Sequence, residues 1–234
     1  MSKSIVIITA RGGSKRIPKK NIRDFCGKPM IAYAIQAALK AEIYDTVMVS
    51  TDSEEIAKIA KQYGAEVPFM RSSATADDYA TTADVLMEVL KAYEARGEEY
   101  EYMTCIYPTA PFVTPEKLKH AMDTLKAQKA SMVMPVTSFS YPPLRSYVMR
   151  EGHLSMKWPE YYKCRSQDLE PLYHDAGQFY CYAVKEFLQA GGIITQGISP
   201  VVVDEMEVQD IDNETDWRLA ELKFKILQEK EERE

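Results

Sequence analysis

Between Arg11 and Lys28 the sequence places seven basic residues against one acidic residue, Asp24, although the chain as a whole carries a formal net charge of −6. Arg11, Gly12, Gly13, Ser14, Lys15, Lys20 and Asn21 all fall in the run "ARGGSKRIPKKN". Paired glycines let main-chain amides approach an anion, and the cationic side chains add charge around it. The run matches neither GxGxxG nor GxxxxGK[ST], so the usual nucleotide fingerprints do not apply. Its residue types still suit a phosphate site. The alternative is a solvated basic loop.

Three further clusters could carry chemistry. In "VQDIDNETDW", residues 208–217, extended backbone would put Asp210 and Asp212 on one side, because side chains alternate. Two such carboxylates repel unless a cation lies between them, and Mg²⁺ with a polyphosphate suits that oxygen site. Alternatively, Asp212 or Asn213 caps the helix that follows, which leaves Asp210 without a task. "YPTAPF", residues 107–112, follows an apolar run and either walls a cleft, with Thr109 in it, or simply ends a strand. "RSQDLEPLYHDAGQFYCY", residues 165–182, offers Arg165, Gln167, His174, Asp175, Gln178 and Tyr180. So many donors and acceptors suit a polyhydroxylated sugar, or else a polar loop entering a strand. His120 and His153 stand alone and are given no role.

The elements that must position these groups alternate between short apolar runs and helical patterns, the signature of a parallel sheet covered by helices. Strands are expected at Ser4–Thr9, Thr46–Ser50, Val67–Met70, Tyr102–Tyr107, Ser131–Val136, Gly177–Ala183 and Ile198–Val203. Helices are expected at Pro29–Ala41, Ser53–Tyr63, Thr82–Arg96, Pro115–Gln128 and from Asn213 to about Lys230. The last puts Trp217, Leu219, Ala220, Leu222, Phe224, Ile226 and Leu227 on one broad apolar side. Residues 137–170, rich in Pro, Tyr and Arg, break the rhythm and read as an inserted arm between core segments 1–136 and 171–234. Within it, Tyr141–Leu144 and Trp158–Tyr162 suit a dimer contact or an active-site lid.

With 234 residues, 46% hydrophobic and 27% charged, the chain suits one domain with a sizeable core. Its acidic balance argues against a general nucleic-acid or membrane-surface binder. Cys26, Cys105, Cys164 and Cys181 lie far apart without metal-ligand spacing and read as thiols of a reducing compartment. No apolar signal core or membrane-length run occurs, so a cytoplasmic location is expected.

Taken together, "ARGGSKRIPKKN", Arg71, "YPTAP" and "QDIDNETDW" resemble, in that order, the motifs of the sugar-acid cytidylyltransferases, which include the CMP-sialic acid synthetases. The resemblance spans essentially the whole chain. "RSQDLEP" with "YHDAGQFY" is most similar to the pseudaminic acid branch. Departures are Thr9 where many relatives have proline, Tyr107 where the sialic acid enzymes generally place glutamine, and Cys181 where an aromatic residue is expected.

The resemblance implies a Rossmann-like α/β nucleotidyltransferase fold, a three-layer sandwich on a mostly parallel sheet, with Mg²⁺ dependence and a homodimer built partly from the arm. It implies that CTP and a nine-carbon 2-keto (nonulosonic) sugar acid give a CMP-sugar and pyrophosphate, for cell-surface or flagellar glycan synthesis. Arg11, Ser14, Lys15 and Lys20 would then hold the triphosphate, Asn21 the nucleoside and Arg71 the cytosine, with Gly12, Gly13 and Thr109 beside them. Lys15, Lys20 and Asp210 would carry the catalysis, Asp210 and Asp212 the metal. Arg165, Gln167, His174, Asp175, Gln178 and Tyr180 would face the sugar acid. Two rivals are a GT-A glycosyltransferase, whose Asp-x-Asp motif usually comes earlier in the chain, and a nucleotide-binding regulatory module without turnover.

Overall fold

The structure is a computed structural model and describes residues 2–77 and 79–231. The chain runs through β1 (Ser4–Thr9), a small β2 (Asp24–Phe25) and β3 (Lys28–Pro29) ribbon, α1 (Met30–Ala41), β4 (Thr46–Ser50) and α2 (Glu54–Gln62). There follow α3 (Ser73–Ala76), α4 (Thr82–Glu94), β5 (Tyr102–Ile106), α5 (Pro115–Gln128) and β6 (Met132–Ser138). A β7 (Tyr147–Arg150) and β8 (His153–Met156) hairpin comes next, then β9 (Tyr173–Asp175), β10 (Phe179–Ala183), α6 (Val184–Gln189), β11 (Ile198–Val202) and α7 (Glu214–Glu231).

One sheet carries seven strands in the order β11-β6-β10-β5-β1-β4, with β9 also paired to β6. β4, β1, β5, β6 and β11 run one way; β9 and β10 run against them. The continuous run Ile5–Ile8 is wholly buried because helices cover both faces of a parallel strand. On one face α1, α2 and α5 bury Ile31, Ile35, Ile56, Leu118 and Met122 against Val6, Ile8 and Val49. On the other, α4 and α6 bury Leu86, Val89, Tyr93 and Phe187 against Ile5, Ile7 and Met103. Pro115 opens α5 behind the Thr114 cap, where its missing N–H costs nothing.

A third, smaller core matters more for the site. Ile17 from under the basic loop, Phe25, Met30, Phe112, Ile211, Trp217 and Ala220 pack together. They tie the first loop to α7 and to the segment carrying the acidic pair.

Two expectations change. Residues 67–70 form no strand: pairing alongside β4 stops at a single bridge, Met48 to Glu66, because Pro68 follows with no N–H to donate. In α7 only Trp217 and Ala220 are buried, with Phe224 and Leu227 packing beside them, while Leu219, Leu222 and Ile226 face outward. The short helix α6 and ribbon β2–β3 had too few residues to show a periodicity. Residues 139–172 lie outside the main sheet's strands, and their β7 and β8 pair only with each other.

Candidate active site

The carboxyl ends of β4, β1 and β5 open into a cleft of about 510 Å³. Ligands of open α/β sheets sit at this edge, because loops leaving adjacent parallel strands there diverge. Of the residues expected to bind nucleotide, Arg11, Ser14, Lys15, Lys20, Asn21, Arg71 and Thr109 all line it. So do Thr9, Arg16, Thr75, Asp77, Ala80, Thr81, Thr82 and Val85, which the sequence reading had not assigned.

The loop after β1 is fastened rather than free-hanging. Gly12 donates its amide to Asp52 Oδ1 at 2.7 Å, and a Cβ there would sit 3.0 Å from Ser53 Cβ. A side chain at this position would press on the start of α2. The Gly12 amide, expected to face an anion, is committed to a carboxylate. Gly13 has nothing within 4 Å of a built Cβ, and neither glycine lines the cleft. Asn21 is buried and donates Nδ2–H to the Arg11 carbonyl at 2.9 Å, and Ser14 Oγ–H donates to the Ile17 carbonyl at 2.7 Å. Arg11 Nη1 spans to the Asp77 carbonyl at 2.9 Å.

The acidic pair converges on this loop. Lys20 Nζ donates to the Ile211 carbonyl at 2.6 Å, between Asp210 and Asp212, and Arg16 Nη2 pairs with Asp212 Oδ1 at 2.7 Å. Ile211 is buried while its two neighbours are turned outward, the alternation expected of extended chain. Burial lowers the Lys20 pKa from the ordinary lysine range, against the opposing pull of Asp212 and Asp210. The capping role falls to Asn213, whose Oδ1 accepts from the amides of Thr215 and Asp216. Asp216 returns the bond to Asn213 and also holds the Asp212 amide at 2.9 Å. Neither acid of the pair is spent on the helix.

These residues fit a magnesium nucleotide better than a free ion. Among the described residues no third Asp, Glu, His or Cys joins Asp210 and Asp212 as a metal-holding group. Mg²⁺ is commonly held by one or two carboxylates, with phosphate oxygens and water completing its shell. Two carboxylates beside a cationic cleft are that donor set.

The residues expected to face a sugar divide. Tyr180 and Asp175 line a second hollow of about 360 Å³, which shares Thr81, Thr82 and Tyr107 with the first cleft. Tyr180 donates its hydroxyl to Asp175 Oδ2 at 2.6 Å, and burial with that bond keeps the phenol strongly protonated. His174 is exposed beside Phe139, its Nδ1 2.8 Å from the Asp175 carbonyl. Arg165 and Gln167 lie on the exposed arm, where Arg165 is paired with Asp168 at 2.7 and 2.9 Å. Gln178 lines neither hollow. It is buried with Nε2 on the Glu207 carbonyl at 2.5 Å, so it anchors the chain leading to the acidic pair.

A parallel-stranded α/β fold with a cationic, polar cleft at its strand ends and a carboxylate pair beside it defines a nucleotidyltransferase. A family model described as "Cytidylyltransferase" matches residues 5–142. A pseudaminic acid cytidylyltransferase of Campylobacter jejuni is 39% identical over 97% of this chain and 98% of its own. A CMP-N,N'-diacetyllegionaminic acid synthase of Legionella pneumophila is 34% identical over 96% and 97%. In fold, the chain is similar to a CMP:2-keto-3-deoxy-manno-octonic acid synthetase solved with CTP, at TM-score 0.66 and 19% identity, covering 97% of this chain and 100% of that one. The chain belongs to the cytidylyltransferase family, among its sugar-acid CMP synthetases. No helix among the described residues is long and apolar enough to cross a membrane.

Proposed function

We propose that this enzyme couples CTP to a nine-carbon 2-keto sugar acid, pseudaminic acid being the substrate favoured, to give the CMP-sugar and pyrophosphate. The observation that carries the reading is the Lys20–Ile211 hydrogen bond, which brings the basic loop and the acidic pair to one place. The favoured sugar follows the 39% identity to a pseudaminic acid cytidylyltransferase. The reaction belongs in the cytoplasm, where CTP is made.

Arg11, Ser14, Lys15 and Lys20 hold the triphosphate, and Arg71 with Asn21 faces the nucleoside. The anomeric hydroxyl of the sugar acid attacks the α-phosphorus in line. A bond forms between that oxygen and phosphorus, the bond to the bridging oxygen breaks, and the hydroxyl proton is released as pyrophosphate leaves. Positioning and charge stabilisation supply most of the acceleration in such transfers. Lys15 and Lys20 offset the charge growing on pyrophosphate. Asp210 and Asp212 would hold Mg²⁺, which when bound neutralises phosphate oxygens and acidifies the attacking hydroxyl. For Asp212 to do so, Arg16 must release it to the nucleotide. Asp175, Tyr180 and His174 face the sugar acid, with Arg165 and Gln167 reaching it from an arm that also joins two copies of the chain.

Pyrophosphate release from CTP with pseudaminic, legionaminic and sialic acids, measured side by side, tests this. Release fastest with pseudaminic acid is expected. Release with none of the three overturns the reaction, and a preference for another acid reassigns the substrate.

A further inference from the structure

Glu88, in the second turn of α4, does not line the nucleotide cleft, yet it fastens one of its walls. Its Oε1 accepts the Ser72 amide at 2.8 Å. Its Oε2 accepts the hydroxyls of Ser72, at 2.8 Å, and of Thr75. Ser72 directly follows Arg71, and Arg71 and Thr75 both line the cleft. Arg71 is secured from the opposite side by the end of β4. Its amide donates to the Thr51 carbonyl at 2.8 Å, and its Nε and Nη2 donate to Ser50 Oγ and O at 3.1 and 2.7 Å.

This buried guanidinium sits among charges of both signs. Asp52 and Glu88 act on Arg71 as opposite charges, with Arg11 as a like charge. Two carboxylates and one further cation therefore act on it. A guanidinium whose charge is already offset gains less from a phosphate, but it keeps its fork of N–H donors. It suits an uncharged edge that offers acceptors. Cytosine presents an acceptor at N3 where uracil presents an N–H, and a donor facing a donor is strongly rejected in a dry site.

We infer that Glu88 is a positioning residue for base selectivity: by fastening the 72–75 wall and offsetting Arg71, it holds the guanidinium in register for a cytosine edge and against uracil. This rests on the nucleotide orientation proposed above. A purely structural role, in which Glu88 only secures the four-residue α3, makes a different forecast.

The test is steady-state kinetics with CTP and UTP, at one saturating sugar acid, for the wild type, E88A and E88Q. In E88A the CTP-to-UTP ratio of kcat/KM should fall about tenfold or more, through a raised KM for CTP. The kcat and the sugar-acid KM should stay within about twofold, as expected when only ground-state and transition-state nucleotide binding is lost. E88Q retains an amide that can bond Ser72 and Thr75 without the charge, and should recover part of the ratio. An unchanged ratio in E88A, or an equal loss for both nucleotides, overturns the inference. Calorimetric binding of CTP and UTP alone reads the same selectivity without turnover. A failure of the proposed reaction is thereby separable from a failure at Glu88.

Discussion

On the β4–β1–β5 half of the sheet, the loops carrying the proposed nucleotide contacts are tied mostly by bonds to residues distant in the chain. Gly12 is fixed to Asp52, Asn21 to Arg11, Arg71 to Ser50 and Lys20 to Ile211. On the β6–β9–β10 half, the residues proposed for the sugar acid are tied mostly to near neighbours in the chain. Asp175 takes bonds from Gly177 and Tyr180, and Arg165 turns back on Asp168. One site is preorganised within a single chain, and the other is left open along an exposed edge. A fixed site suits a nucleotide whose geometry does not vary, since placement in advance lowers the cost of reaching the transition state. On the proposed reading the arm, with a second copy of the chain, would close over the open side.

The sharpest blow to this contrast would come at the acidic pair. Asp210→Ala should lose about 100-fold or more in kcat, the scale for losing a key electrostatic group. Its unfolding midpoint should hold, because Asp210 is exposed. Near-normal turnover would remove it from the chemistry. Next, Lys15→Ala should weaken CTP binding about tenfold by calorimetry, as for a lost charge-assisted contact, without raising the sugar-acid KM. Were both substrates affected equally, the two halves would not be separate sites. On the open side, Leu154→Asp places a charge on the exposed face of the arm hairpin. It should shift sedimentation toward the monomer and raise the sugar-acid KM several-fold, on the order of a disrupted interface contact, while CTP affinity holds.

A subtler effect concerns pH. Burial depresses the Lys20 pKa below the ordinary 10.5. Activity should therefore fall on the alkaline side before an exposed lysine would titrate, and Lys20→Arg should remove that limb. For stability the sign is opposite. In the window just below 10.5 the native chain gives up this proton first, so Lys20's contribution rises with pH. The smallest effect belongs to Arg16→Ala: its pair with Asp212 is largely exposed, so unfolding should change by less than about 1 kcal/mol.

Much of the nucleotide half was legible because its signals are local. The apolar run Ile5–Ile8, Pro29 and Pro115 at helix starts, and the basic loop each announce themselves within a dozen residues. The stretch carrying Ser72 and Thr75 was not legible: Ser, Thr and Ala carry no periodicity, and its fastening to Glu88 depends on α4 folding back beside it. Gln178 shows the same limit. Its amide type suited a sugar, and only the tertiary contact with Glu207 reveals an anchor. At Gly12 the tight neighbour, Ser53, comes from a distant part of the chain that no local pattern announces.

The small cluster uniting Ile17, Ile211 and Trp217 also bears on how the enzyme comes into being. Translation makes the cationic loop first and the carboxylates almost two hundred residues later. A nascent chain halted before residue 210 has neither the acids nor the tryptophan that floors the loop. On the proposed assignment, competence would arrive late and abruptly during synthesis, and prematurely terminated products should be inert.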